Sequence, residues 1–138
     1  MAYIIGVVVA LGVALFATIV GLDRDRTFYS TVTIVVASYY VLFAAMGGSL
    51  HALAIEFVVM TGFVTAAVLG FKKSEWILVA ALAGHGVFDA LRGNAIENAG
   101  VPSWWPAFCG SYDVVAAACL AWIVVRRQGA VAKSGLSR

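Results

Sequence analysis

His85 and Asp89 stand four residues apart, as do Cys109 and Asp113, and Glu56 lies upstream of both pairs. On an α-helix an i, i+4 spacing puts both side chains on one face, so each pair projects in one direction. Imidazole, thiol and carboxylate are ligands of transition metals, and they are also groups that move protons near neutral pH. Two chemistries are open to them. With Glu56, His85 and Asp113 as ligands, a zinc-type divalent ion with an open position would activate water, and Asp89 would support a ligand or act as general base. Without a metal, a buried carboxylic acid would protonate a substrate while a partner carboxylate removes a proton, giving isomerisation or cyclisation. The spacings match no standard zinc signature.

Composition determines what must position these groups. Of 138 residues, 63% are hydrophobic and 12% charged, and the mean hydropathy is +0.99. A soluble domain carries about twice that share of charge. The composition therefore excludes a soluble globular enzyme, a disordered chain and a nucleic-acid-binding module, and the net charge of +2 is too small to indicate a polyanionic partner. The expected fold class is an all-α integral membrane protein. Runs of about 20 apolar residues cross a bilayer. Five such runs predict helices over about 2–22, 28–46, 50–71, 76–91 and 107–125, forming one bundle over 1–127 with 128–138 as a flexible cytoplasmic tail. No Lys or Arg precedes the first run, which is expected to be a retained helix and not a signal peptide.

The cations give the orientation. In a five-helix weave Arg24, Arg26, Lys72, Lys73, Arg126, Arg127, Lys133 and Arg138 fall on one side, and of the 9 Lys and Arg only Arg92 lies toward the other. The positive-inside rule then predicts an outside N-terminus and a cytoplasmic C-terminus in the cell membrane. In that weave Glu56 and Asp113 lie roughly 9 Å below the outer surface, and Asp89 and His85 roughly 6 and 12 Å below it. The polar residues of three helices therefore share one layer of the outer leaflet. Intramembrane ionisable groups are expensive, so a shared layer marks a candidate site.

Several neighbours belong to the same layer. Gly84 and Gly86 flank His85 and would admit a close helix. Cys109 is either a ligand or a small packing residue, and Cys119, about 15 Å further along the helix, is too distant to pair with it. Tyr39 and Tyr40 could donate hydrogen bonds or simply pack. Trp104 and Trp105 could float as an aromatic belt or fold over the site as a lid. His51 reads as a headgroup-level polar residue. Glu56, His85, Asp89 and Asp113 could also form a network that only locks helices together, but three carboxylates against one imidazole leave excess negative charge for a proton or cation to relieve.

The segment from Gly47 to Asp113 resembles a family of small bacterial polytopic membrane proteins known only as a domain of unknown function. The resemblance rests on Gly47-Gly48, Glu56, the HxxxD of His85 and Asp89, Gly93-Asn94, Val101-Pro102 and the CxxxD of Cys109 and Asp113. The family often carries a further Cys before the last Asp and His residues after the first motif, where this chain has Tyr112 and Arg92-Gly93. The resemblance implies that these residues act together and implies no reaction.

Three functions fit. A membrane-embedded enzyme, either a metal-dependent hydrolase or an acid/base isomerase or cyclase, would act on a lipid-like hydrophobic substrate entering from the bilayer. A proton- or cation-coupled transporter or channel component would use the carboxylates as relay sites, and a 14.5 kDa chain would need to form a homo-oligomer for that. A non-catalytic metal- or cofactor-binding membrane protein would need only the cluster.

Overall fold

The computed structural model describes residues 1–92 and 96–135, with side chains through residue 130. Five helices follow one another: α1 Ala2–Val20, α2 Thr27–Met46, α3 Leu50–Lys72, α4 Glu75–Arg92 and α5 Trp105–Gly135. All five expected helices are present. The last one differs in length. It continues to Gly135, so 128–135 is helical where a flexible tail was expected, and 136–138 lie outside the described residues. Arg126, Gln128 and Ala130 are good helix formers, and Arg127 is held by partners at this end of the bundle.

Local chemistry explains the helix ends. Gly21 closes α1 in the left-handed region at φ 83°, where a Cβ would be strained, and its N–H bonds to Ala17 O. Asp25 accepts from the Thr27 N–H at 2.8 Å, and Ser49 caps α3 by accepting from the Ala52 N–H at 3.2 Å.

The packing is inverted relative to a soluble protein. α1 buries Gly6, Ala10 and Ala17 and turns Ile4, Val8, Leu11, Leu15 and Ile19 outward. Small residues at the seams and large apolar ones outside are the arrangement expected where lipid is the solvent. Four helices, α1, α2, α3 and α5 as far as Ala130, are long and apolar enough to cross a membrane.

α4 is the exception, because its 18 residues include Glu75, Asp89 and Arg92. Its buried stripe of Leu78, Leu82, His85, Asp89 and Arg92 alternates steps of four and three residues, which keeps it on one face. That face is enclosed. α4 packs against α5 and α3 and touches α2, while α1 packs on α5. Leu78 and Leu82 join Ala116, Ala117, Leu120 and Val124 in an apolar core below the polar half of the stripe.

The loop between α1 and α2, the loop between α3 and α4, and the end of α5 meet at one end of the bundle. Arg127 donates to Glu75 at 2.8 Å and to the Asp23 carbonyl, and Arg26 donates to the Phe71 carbonyl at 3.3 Å. Arg24, Arg26 and Arg127 thus lie together at this end.

Candidate functional site

The site lies on the α4–α5 seam, and two glycines determine how close the seam is. A Cβ on Gly86 would stand 3.0 Å from Gly110 O, and one on Gly110 would stand 3.2 Å from Gly86 O and from Asp89 Cβ. Backbones that approach this closely bring short side chains together across the helices. Gly84 has open space where its side chain would be, so of the two glycines flanking His85 only Gly86 serves the contact.

Across this seam His85 and Asp89 of α4 meet Cys109 and Asp113 of α5. One ligating atom from each of the four lies within 4.8 Å of all the others, and all four residues are buried. His85 Nδ1 is 2.7 Å from Asp113 Oδ2 and 3.7 Å from Asp89 Oδ2. The Cys109 thiol donates to Asp113 Oδ2 at 3.7 Å, and the Tyr40 hydroxyl donates to Asp89 Oδ1 at 2.5 Å. The rings of Phe63, Phe88 and Tyr40 surround the imidazole, with centroids 4.8, 6.0 and 6.1 Å away.

These bonds leave Asp89 Oδ2 and Asp113 Oδ1 buried without a hydrogen-bond partner. A buried carboxylate oxygen with no donor is costly, and a proton or a cation removes the cost. The donor set of one imidazole nitrogen, one sulfur and two carboxylates suits a transition ion of the zinc class and fits calcium or magnesium poorly, because those ions take oxygen ligands. The group could therefore hold a metal ion.

Glu56 does not belong to this group. Its carboxylate forms a buried ion pair with Arg92, and Asn98 Nδ2 adds a bond at 3.3 Å. The expected ligand set of Glu56, His85 and Asp113 is thereby revised to His85, Asp89, Cys109 and Asp113. The physical cause is Arg92, which stands three residues beyond Asp89 on the same buried stripe and reaches Glu56 before the histidine can. A cation near a helix end reads as a surface group, yet Arg92 is only 3% exposed. The sequence did contain a signal, since 85, 89 and 92 share a helical face.

Tyr40 joins the two groups. Its hydroxyl holds Asp89, its ring lies 4.0 Å beneath the Arg92 guanidinium, and its carbonyl accepts from Asn98 at 3.2 Å. Tyr39 points elsewhere and packs on Trp105 at 4.9 Å and Phe43 at 6.4 Å. Adjacent helical residues diverge by about 100°, so only one of the two tyrosines can face the seam.

The remaining expected residues take supporting places. Trp104 is half exposed, whereas Trp105 packs on Tyr39, Phe43 and Phe108 and fastens the start of α5 to α2. Gly47 abuts the Gly100 backbone, so the glycine turn seats the loop that carries Asn98. His51 is exposed at the start of α3, and Gly93-Asn94 lies outside the described residues.

Two grooves flank the cluster. A groove of about 300 Å³ between α1, α2 and α5, lined by Trp105, Phe108 and Tyr39, has Cys109 in its wall. One of about 550 Å³ between α1, α4 and α5 has Asp89, Gly86 and Gly110 in its wall. No family model matches the sequence, and neither a curated protein nor a solved structure matches it.

Proposed function

We propose that the chain is a membrane-embedded metallohydrolase that binds one zinc-class ion at His85, Asp89, Cys109 and Asp113 and cleaves a lipid-like substrate. One observation carries the reading: four ligating side chains of suitable type converge in a buried site and leave two carboxylate oxygens unpartnered. A bound ion would polarise the scissile carbonyl and lower the pKa of its water. His85, Asp89, Cys109 and Asp113 would hold it, with the Tyr40 hydroxyl orienting Asp89, the ligand that also lines the groove between α1, α4 and α5.

The same proposal includes five membrane spans, an outside N-terminus, a site in the extracytoplasmic leaflet, and kinship with the small bacterial family described above. The gathering of cation-bearing segments at one end, and the burial of Arg92 against Glu56 near the other, support this orientation. The charges of α4 are compatible with a span because Asp89 and Arg92 face the bundle interior, as intramembrane ionisable groups do.

A metal-free acid/base enzyme is the second reading. Two short contacts favour it, His85 to Asp113 and Tyr40 to Asp89, since each already pairs a carboxylate with a group that can carry its proton. The apolar layer of Leu78, Leu82, Leu120 and Val124 beneath the cluster speaks against a transport path.

Elemental analysis of protein purified without chelators separates the readings. The metallohydrolase should carry about one transition metal per chain and lose it in Asp113→Asn. Metal-free protein that turns over a lipid ester would refute the metal centre and favour the acid/base reading.

A further inference from the structure

At the end of α4 away from Arg92, a pocket of about 350 Å³ is lined by Arg24, Asp25, Arg26, Phe71, Glu75 and Arg127. Three cations stand there against two carboxylates, an excess of one positive charge. Both carboxylates are engaged. Glu75 accepts from Arg127 at 2.8 Å, and Asp25 accepts from the Thr27 N–H at the start of α2, where a helix terminus favours negative charge. Arg26 donates to the Phe71 carbonyl, a neutral group, and among the described residues neither Arg24 nor Arg26 pairs with a carboxylate. The unspent charge of the pocket therefore rests on Arg24 and Arg26.

The surroundings narrow the occupant further. A Cβ on Gly21 would stand 2.7 Å from Arg24 Nε, so the Arg24 side chain folds back over the glycine turn that ends α1. Phe71 gives the pocket an apolar side. It is 47% exposed, and Val68, three residues earlier on the same helical face, is 43% exposed. A sidedness signal requires only that cations occupy these loops. Their convergence on one pocket beside a lipid-facing helix surface is a further feature, and it matches an amphiphile with an acidic headgroup.

We infer that this pocket binds the phosphodiester of an anionic phospholipid, whose chains follow α3 past Phe71 and Val68. Arg24 and Arg26 present planar guanidinium forks, which match phosphate oxygens two at a time. The single negative charge of the phosphodiester balances the excess of one on the lining. A zwitterionic headgroup brings an ammonium as well, and that group would lie among arginines with both carboxylates already engaged.

The test is native mass spectrometry of the full chain in detergent, titrated with phosphatidylglycerol and, for comparison, with phosphatidylcholine and phosphatidylethanolamine of the same chains. Phosphatidylglycerol should bind about tenfold more tightly than either. Arg24→Gln and Arg26→Gln should each lower that affinity about fivefold, the effect of one cation near an anionic surface, and the double variant about 25-fold. Where the double variant elutes as aggregate, Arg24→Gln carries the test, because that side chain is exposed. Lys72→Gln/Lys73→Gln removes two charges at the end of α3 outside the pocket lining and should lower affinity by less than about twofold. Equal affinity for phosphatidylethanolamine, or an equal loss in the lysine variant, would reduce the binding to diffuse attraction and overturn the inference. Displacement of the lipid by inorganic phosphate would make the occupant a soluble anion and overturn it too. The measurement reads neither metal nor turnover, so its outcome is independent of the hydrolase reading.

Discussion

Gly86 and Gly110 face each other across the α4–α5 seam so closely that a Cβ on either would stand 3.0 to 3.2 Å from the other's carbonyl oxygen, tight enough that the backbones would have to part slightly to admit it. Side chains as short as Asp89 and Asp113 can share one ion or one proton only because the two backbones meet this way.

Gly110→Ala should therefore lower stability by about 1–3 kcal/mol, the usual cost of overpacking, and reduce metal content with it. Gly84→Ala is the control. With open space at that position it should be neutral or stabilise by about 0.5–1 kcal/mol through helix propensity. Thermal unfolding in detergent, read beside metal content, distinguishes the two, and equal effects would contradict the close seam.

Tyr40→Phe removes one hydroxyl, the donor to Asp89 Oδ1. Losing an outer partner of a ligand typically lowers metal affinity about 10–100-fold, and that is the expected loss here, measured by competition with a chelator of known affinity. Tyr39→Phe should leave affinity unchanged, because that side chain packs on Trp105 and Phe43.

The Glu56–Arg92 pair calls for a double-mutant cycle. Each single change, Glu56→Met or Arg92→Met, leaves the partner's charge buried alone and should cost about 3–5 kcal/mol. The double variant Glu56→Met/Arg92→Met should recover most of that loss, in line with buried pairs that add little net stability. Additive losses would mean that the two side chains do not depend on each other.

Orientation is tested by thiol labelling in intact cells, with Cys119→Ser to remove background. A cysteine at Ser103, exposed before α5, should react from outside, and one at Lys73, at the end where Arg127 meets Glu75, only after lysis. The reverse pattern would overturn the proposed topology.

Much of this was legible in the sequence, and the remainder has definite causes. The i, i+4 pairs and the common depth put Glu56, His85, Asp89, Cys109 and Asp113 in one layer, because rise along a helix is fixed per residue, but depth does not say which of the five meet. Rotation about the axis is another matter. Which of Tyr39 and Tyr40 faces the seam depends on how α2 packs against α4, and a helix with so weakly marked an apolar face does not record it. In sequence Arg92 reads only as the one cation of the other side, because burying a cation depends on a partner from a different helix. That partner, Glu56, reads in sequence as a metal ligand. A single ion pair thus accounts for both differences.

α4 carries the chemistry and is also the helix least able to enter lipid unaided, since at mid-bilayer an Asp or Arg costs about 2.5–3.5 kcal/mol of insertion free energy. If the chain spans five times, α4 must be accepted together with α3 or α5, whose side chains answer its charges. Biogenesis would then act as a proofreading step. A substitution that unpairs Arg92 or separates the glycine seam would be detected during insertion at the translocon, as a helix left outside the bilayer, before it could be detected as a loss of activity.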